Sequence, residues 1–256
     1  MPLLLKLLLV PSLIAAVTLA GRRWGPAVAG WLSAFPIVSG PILLAIALEQ
    51  GSDFAATAAA NTLLAVLAIL VFSIAYARVA QHKGVFAAMS AALLAWAISV
   101  ALLRSLELPL WVGFAAVLAA LLAAPRLIGH VKGRKDSQGA PARDLPWRMA
   151  AGALLTLAVT AAAAQMGPRL SGMFAMFPVM STVLVGFSHR SSGPGFAVDL
   201  LRGMVRGYYA FAVFCLVLAL LLRAQPLASS FVAATICALA VQLGLRAAVA
   251  RSAKPA

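Results

Sequence analysis

The chain has 256 residues, 64% of them apolar and only 10% charged, with a mean hydropathy of +1.02. A soluble domain carries roughly 25% charged residues, so the composition excludes a water-soluble globular protein and requires a bilayer. The net charge of +14 does not mark a nucleic-acid binder. The basic residues sit in short loops between apolar runs and form no aromatic-interleaved basic face.

A membrane-crossing helix needs about 20 mostly apolar residues. Runs of that kind predict an all-α polytopic transmembrane bundle of nine spans: 3–20, 26–48, 54–77, 85–103, 108–124, 148–166, 169–188, 200–222 and 227–245. The first resembles a signal-peptide core ending near Thr18 and Ala20, but Arg22 and Arg23 follow directly and resist export. It is read as a mature helix. Breaks fall at Gly21–Gly25, Gln50–Asp53, Gln81–Gly84, Arg104–Glu107, Gly167–Pro168, His189–Gly195 and Arg223–Pro226. The fifth span is the shortest, and the polar stretch 125–147 after it reads as a mobile connector.

Nine spans put the termini on opposite sides. The side that carries the loops after spans 1, 3, 5 and 7 and the C-terminal tail holds sixteen of the 20 Lys and Arg residues, those at the adjoining span ends included; the other side holds Lys6, Arg104, Arg169 and Arg223. By the positive-inside rule the first side is cytoplasmic, the N-terminus outside and the C-terminus inside.

The chain also repeats itself. Gly25-Pro26, Gly30, Phe35-Pro36 and Ser39 recur, at one constant offset and without a gap, as Gly167-Pro168, Gly172, Phe177-Pro178 and Ser181. The same offset pairs Val17-Thr18 with Val159-Thr160, Lys6 with Arg148, Phe54-Ala55 with Phe196-Ala197, and Phe72 with Phe214. The division is therefore repeat 1 over 1–104, a connector span and linker over 105–147, and repeat 2 with the tail over 148–256. Four spans per repeat and one connector span invert the second copy, a plan that recurs among transporters with a midplane binding site.

Residues 148–245 resemble the GlpM-like small bacterial inner-membrane proteins. The likeness lies in a first helix, a small-residue segment running into Phe177-Pro178, a polar turn, a long third helix, and the run Pro226 to Cys237. Residues 6–100 match more weakly, mainly through Phe35-Pro36. The resemblance implies a fused pair of four-helix units in a bacterial inner membrane and carries no catalytic residues with it.

Pro36 and Pro178 fall near the middle of the second span of each repeat. One reading is a plain proline kink. The other is a substrate-lining break, in which each following half-helix turns its N–H groups and positive dipole end toward an anion. Phe35, Pro36 and Ser39, with Phe177, Pro178 and Ser181, are the substrate-binding candidates at these breaks. Asp199, Arg202 and Arg206 add charge on one helical face. Intramembrane cations default to a functional hypothesis, and snorkelling to the headgroups is the competing reading. Asn61 reads either as a binding residue or as an interhelical hydrogen-bonding residue. Glu49 and Asp53 read as a solvated turn. Gly203 and Gly207 form a small-xxx-small spacing that admits a close helix.

Cys215 and Cys237 lie in apolar runs without CxxC or Cys/His spacing, so no metal or cofactor is expected. Enzyme motifs are missing, and His82, His130 and His189 are all assigned to loops on the basic side. The expectation is a transporter or translocator for a small anionic metabolite or an anionic lipid-carrier headgroup. A non-transporting accessory or scaffold protein of the envelope is the alternative. Membrane lipid is the expected surrounding partner; a homodimer is compatible with the sequence, which does not select it.

Overall fold

The computed structural model describes residues 2–36, 39–106, 108–129, 144–165 and 177–252. Among them the elements are α1 (Pro2–Trp24), α2 (Pro26–Ser33), α3 (Ser39–Gln50), α4 (Ser52–Ala80), α5 (Val85–Leu103), α6 (Leu110–Ile128), α7 (Leu145–Gln165), α8 (Val179–Leu221) and α9 (Leu227–Ser252). No strand occurs among the described residues. Among the described residues, five helices are long and apolar enough to cross a membrane: α4, α5, α6, α8 and the Leu227–Ala248 part of α9. That fits a membrane-embedded protein.

Drawn straight, the 43 residues of α8 would run about 65 Å, roughly twice the hydrocarbon core. They do not run straight. Gly193 is non-helical at φ 85 and ψ 172, and Ser181 Oγ donates to Met204 Sδ at 3.5 Å. A straight helix would hold those two residues about 35 Å apart. The element is a hairpin of two antiparallel arms, 179–192 and 194–221, with its tip at Gly193. The break expected over His189–Gly195 is thus a single residue, and His189 and Arg190 are helical rather than in a loop. Glycine reverses the chain at positive φ without a Cβ clash, and Pro194 suits the first turn of the next helix.

The same device joins α1 to α2 at Gly25 (φ 90) and α3 to α4 at Gly51 (φ 90, ψ 167). Gly51 and Gly193 are related by the offset that relates the two Phe-Pro dipeptides, and they share one backbone conformation.

The span predicted over 26–48 is two helices, not one. At 8 and 12 residues, neither α2 nor α3 reaches across a bilayer alone. Phe35 and Pro36 lie in the gap, and the Pro36 carbonyl accepts from Gly40 N at 2.9 Å. In the second half the Pro178 carbonyl accepts from Thr182 N at 2.8 Å, with Pro178 as N-cap of α8. Gly167, Pro168, Gly172, the start of the 169–188 span and positions 130–143 of the predicted linker lie outside the described residues. The fifth predicted span is α6, which continues through Pro125 to Ile128.

Three contacts gather chain ends. Arg22 Nη2 donates to Asp144 Oδ1 at 3.3 Å, Arg78 Nε to the Leu127 carbonyl at 2.8 Å, and the Tyr76 hydroxyl meets His189 Nδ1 at 2.9 Å. The C-terminal ends of α1, α4 and α6, the start of α7 and the region of the Gly193 tip therefore share one end, here the basic end. Gly51 lies at the other end of α4, whose 29 residues extend about 43 Å. The two glycine tips are at opposite ends of the bundle.

Packing at the centre rests on missing side chains. A Cβ on Gly30 would strike the Leu200 carbonyl, one on Gly203 the Ala27 carbonyl, and one on Gly207 would come within 2.6 Å of the Trp31 carbonyl. Helix α2 thus lies backbone to backbone on the second arm of α8, filling the Gly203–Gly207 spacing. Gln242 Nε2 of α9 donates to the Trp31 carbonyl at 3.2 Å.

Candidate functional site

The sequence-nominated residues fall into two places. The first is the pair of helix starts in the interior. Pro36, Pro178 and Ser181 are buried, and Phe35, Ser39 and Phe177 are half-buried. Phe177 packs edge-on against Trp96, centroids 5.2 Å apart, and Ser181 also pairs with the Tyr208 side chain. Helix α3 runs from Ser39 to the Gly51 tip, and the first arm of α8 from Val179 to the Gly193 tip. At the α-helical rise those starts lie about 18 and about 21 Å from their tips. In a core about 30 Å thick, both begin near the middle, each presenting the positive end of its helix dipole, with the Gly40 and Thr182 N–H groups already taken by the Pro36 and Pro178 carbonyls.

The second place is the charged face of the second arm. Asp199 and Arg206 are exposed and Arg202 is half-buried. Arg202 is attracted by Asp199 and repelled by Arg206. Met204 and Tyr208, which Ser181 contacts, are two residues from Arg202 and Arg206 respectively and so lie about 200° round the helix from them; Ser181 and the arginines are on different sides of this arm and do not converge on one atom. They do share a depth, because Arg206 lies about 20 Å along the arm from Gly193. Asn61 is exposed on α4 and makes no hydrogen bond among the described residues, so the interhelical bond expected for it is not formed there. Glu49, Gln50 and Asp53 surround the Gly51 tip, as a solvated turn requires.

A third constellation was not read from the sequence. Arg148 on α7 is 1% exposed. Its Nε and Nη2 donate to Asp144 Oδ2 at 3.0 and 2.8 Å, its Nη1 to Ser188 Oγ at 3.1 Å and its Nη2 to Ser191 Oγ at 3.3 Å. The guanidinium also lies 5.5 Å from the Phe187 ring centroid. Asp144 serves both Arg22 and Arg148. Next to it, His189 is buried against Tyr76, ring centroids 5.9 Å apart, which corrects its assignment to a loop. The cluster ties α1, α4, α7 and α8 together at the basic end. Only the Asp144–Arg148 spacing of four could have signalled it, and a basic residue opening an apolar run ordinarily reads as an orientation signal.

A lateral groove of about 750 Å³ lies between α5, α7 and the first arm of α8. None of the nominated residues lines it. Among the described residues, no group of three His, Cys, Asp or Glu side chains is placed to hold a metal.

No protein-family model, curated protein or solved structure matches this chain.

Proposed function

We propose that the chain is a translocator for an anionic substrate, built as two inverted, GlpM-like four-helix repeats joined by α6 and seated in a bacterial inner membrane. The observation that carries this reading is that a helix begins just after each Phe-Pro dipeptide, α3 at Ser39 and α8 at Val179, near mid-depth and at matching places in the two halves. Helix starts of that kind turn a positive dipole end toward the place where a transporter holds its substrate. The matched glycine tips at opposite ends support the inversion. Arg206, at the same depth, supplies a full positive charge, with Arg202 nearer the basic end and Asp199 as its partner. Mid-membrane cations need an anion or water, and a transported anion meets that need. The basic end faces the cytoplasm on this reading.

Reconstituted in liposomes, the wild type should move at least one of labelled phosphate, a phosphomonoester or a dicarboxylate. The double variant R202A/R206A should lower that flux about 100-fold, as expected for losing two charge-assisted contacts, with unchanged membrane yield. Unchanged flux would remove both arginines from the mechanism.

The inversion has its own test. In a background lacking Cys215 and Cys237, S52C should label from outside intact cells, and S192C, beside the matching glycine of the other half, only after permeabilisation. Labelling of the Ser52 and Ser192 positions from the same side would end the inverted reading.

A further inference from the structure

The groove between α5, α7 and α8 has a polarity of its own. Its floor is one face of the first arm: Thr182, Val183, Gly186, Phe187 and Arg190. Its walls, Ala151, Leu154, Leu155 and Ala158 on α7 and Val85 with Phe86 on α5, are apolar. Only the two ends of the floor are polar. Thr182 Oγ1, at the deep end, is buried without a hydrogen-bond partner. Arg190, two helical turns or about 12 Å away, is exposed at the basic end.

The surroundings of Arg190 extend this charge. His82 and Lys83, both exposed, lie in the turn just before Val85. Trp147 is exposed at the start of α7, and exposed tryptophans mark the headgroup level of a bilayer. The rim of the groove is therefore cationic at the depth where lipid phosphates lie.

Charge and position select the occupant. An apolar trough about 12 Å long that ends at an exposed cation at headgroup level matches the apolar tail and anionic head of a lipid. The geometry points to a bound anionic phospholipid, with an acyl chain along the floor and its phosphate at Arg190, beside His82 and Lys83. This site lies apart from the Arg202–Arg206 face and does not depend on transport.

Native mass spectrometry of the purified protein with equimolar phosphatidylglycerol and phosphatidylcholine tests it. One phosphatidylglycerol should be retained in preference. R190Q should weaken that retention about five- to tenfold. R126Q, which removes the same charge from the end of α6, should not change it. L155W, which fills the groove, should remove retention of both lipids. Equal retention of the two lipids, or equal loss in R126Q and R190Q, would overturn the site. Competition by glycerol phosphate as effective as by the whole lipid would overturn the acyl-chain assignment. A doubled mass that L155W abolishes would give the groove to a second copy instead.

Discussion

Replacing Gly30 with alanine should leave little folded protein, a larger effect than its one added methyl group implies. The new Cβ would overlap the Leu200 carbonyl and lie 2.7 Å from Met204 N, both of them backbone atoms of another helix. Overpacking costs about 1–3 kcal/mol where side chains yield. Here only a separation of α2 from α8 relieves the clash, so the loss should be about 3 kcal/mol or more. Gly244 provides the contrast, because a Cβ there meets nothing within 4 Å. G244A should be neutral or stabilising by about 0.5–1 kcal/mol, since alanine favours helix over glycine. Unfolding midpoints in mixed micelles of increasing SDS fraction measure both. A wild-type midpoint for G30A would mean that α2 is not seated on α8.

The second large effect is expected at Arg148. R148M should destabilise by about 3–5 kcal/mol, the usual cost of removing one partner from a buried ion pair. Asp144 would keep only Arg22, and Ser188 and Ser191 would lose their donor. R148K should recover only part, because an ammonium cannot span Asp144 and both serines as the planar fork does. Crossing R148M with S188A should give a coupling of about 1 kcal/mol, distinguishing a bonded network from bulk loss at one position. Thermal melting in detergent is the measurement. A melting temperature unchanged in R148M would show that the start of α7 is not held through this residue.

Both sites mark a boundary of sequence reading. Gly203 and Gly207 were legible as a small-residue spacing, because close approach needs missing side chains wherever it occurs. That the visitor is α2 was not legible, since α2 and α8 lie in opposite halves of the chain. Arg148 was legible only as one more positive charge beside the membrane. Burial reversed its meaning: enclosed, a guanidinium demands partners, and Asp144, Ser188 and Ser191 are those partners. His189 was misplaced for a related reason. The polar run His189-Arg190-Ser191-Ser192 looks like a loop, yet one glycine makes the whole turn and leaves the polar residues helical.

The candidate binding residues divide in the same way. Pro36 and Pro178 announce a disturbance of the helix in any context, because the ring removes an N–H and clashes with the turn before it. Whether the disturbance is a kink or a true gap depends on what packs around it. At Pro36 the chain has left the helix of α2, over Ala34, Phe35 and Pro36. Charge spacing likewise placed Asp199, Arg202 and Arg206 on one face, and packing turned that face away from Ser181.

Composition by itself determined the solvent, because a chain so apolar and so sparsely charged has no stable exposed surface in water. Hydrophobic length determined most of the helices, since a span must satisfy its own backbone hydrogen bonds. Tertiary structure alone decided which helices touch backbone to backbone, which charge is buried and paired, and where the groove between α5, α7 and α8 opens. Those outcomes depend on distances between residues far apart in the chain, and local propensity carries no information about them.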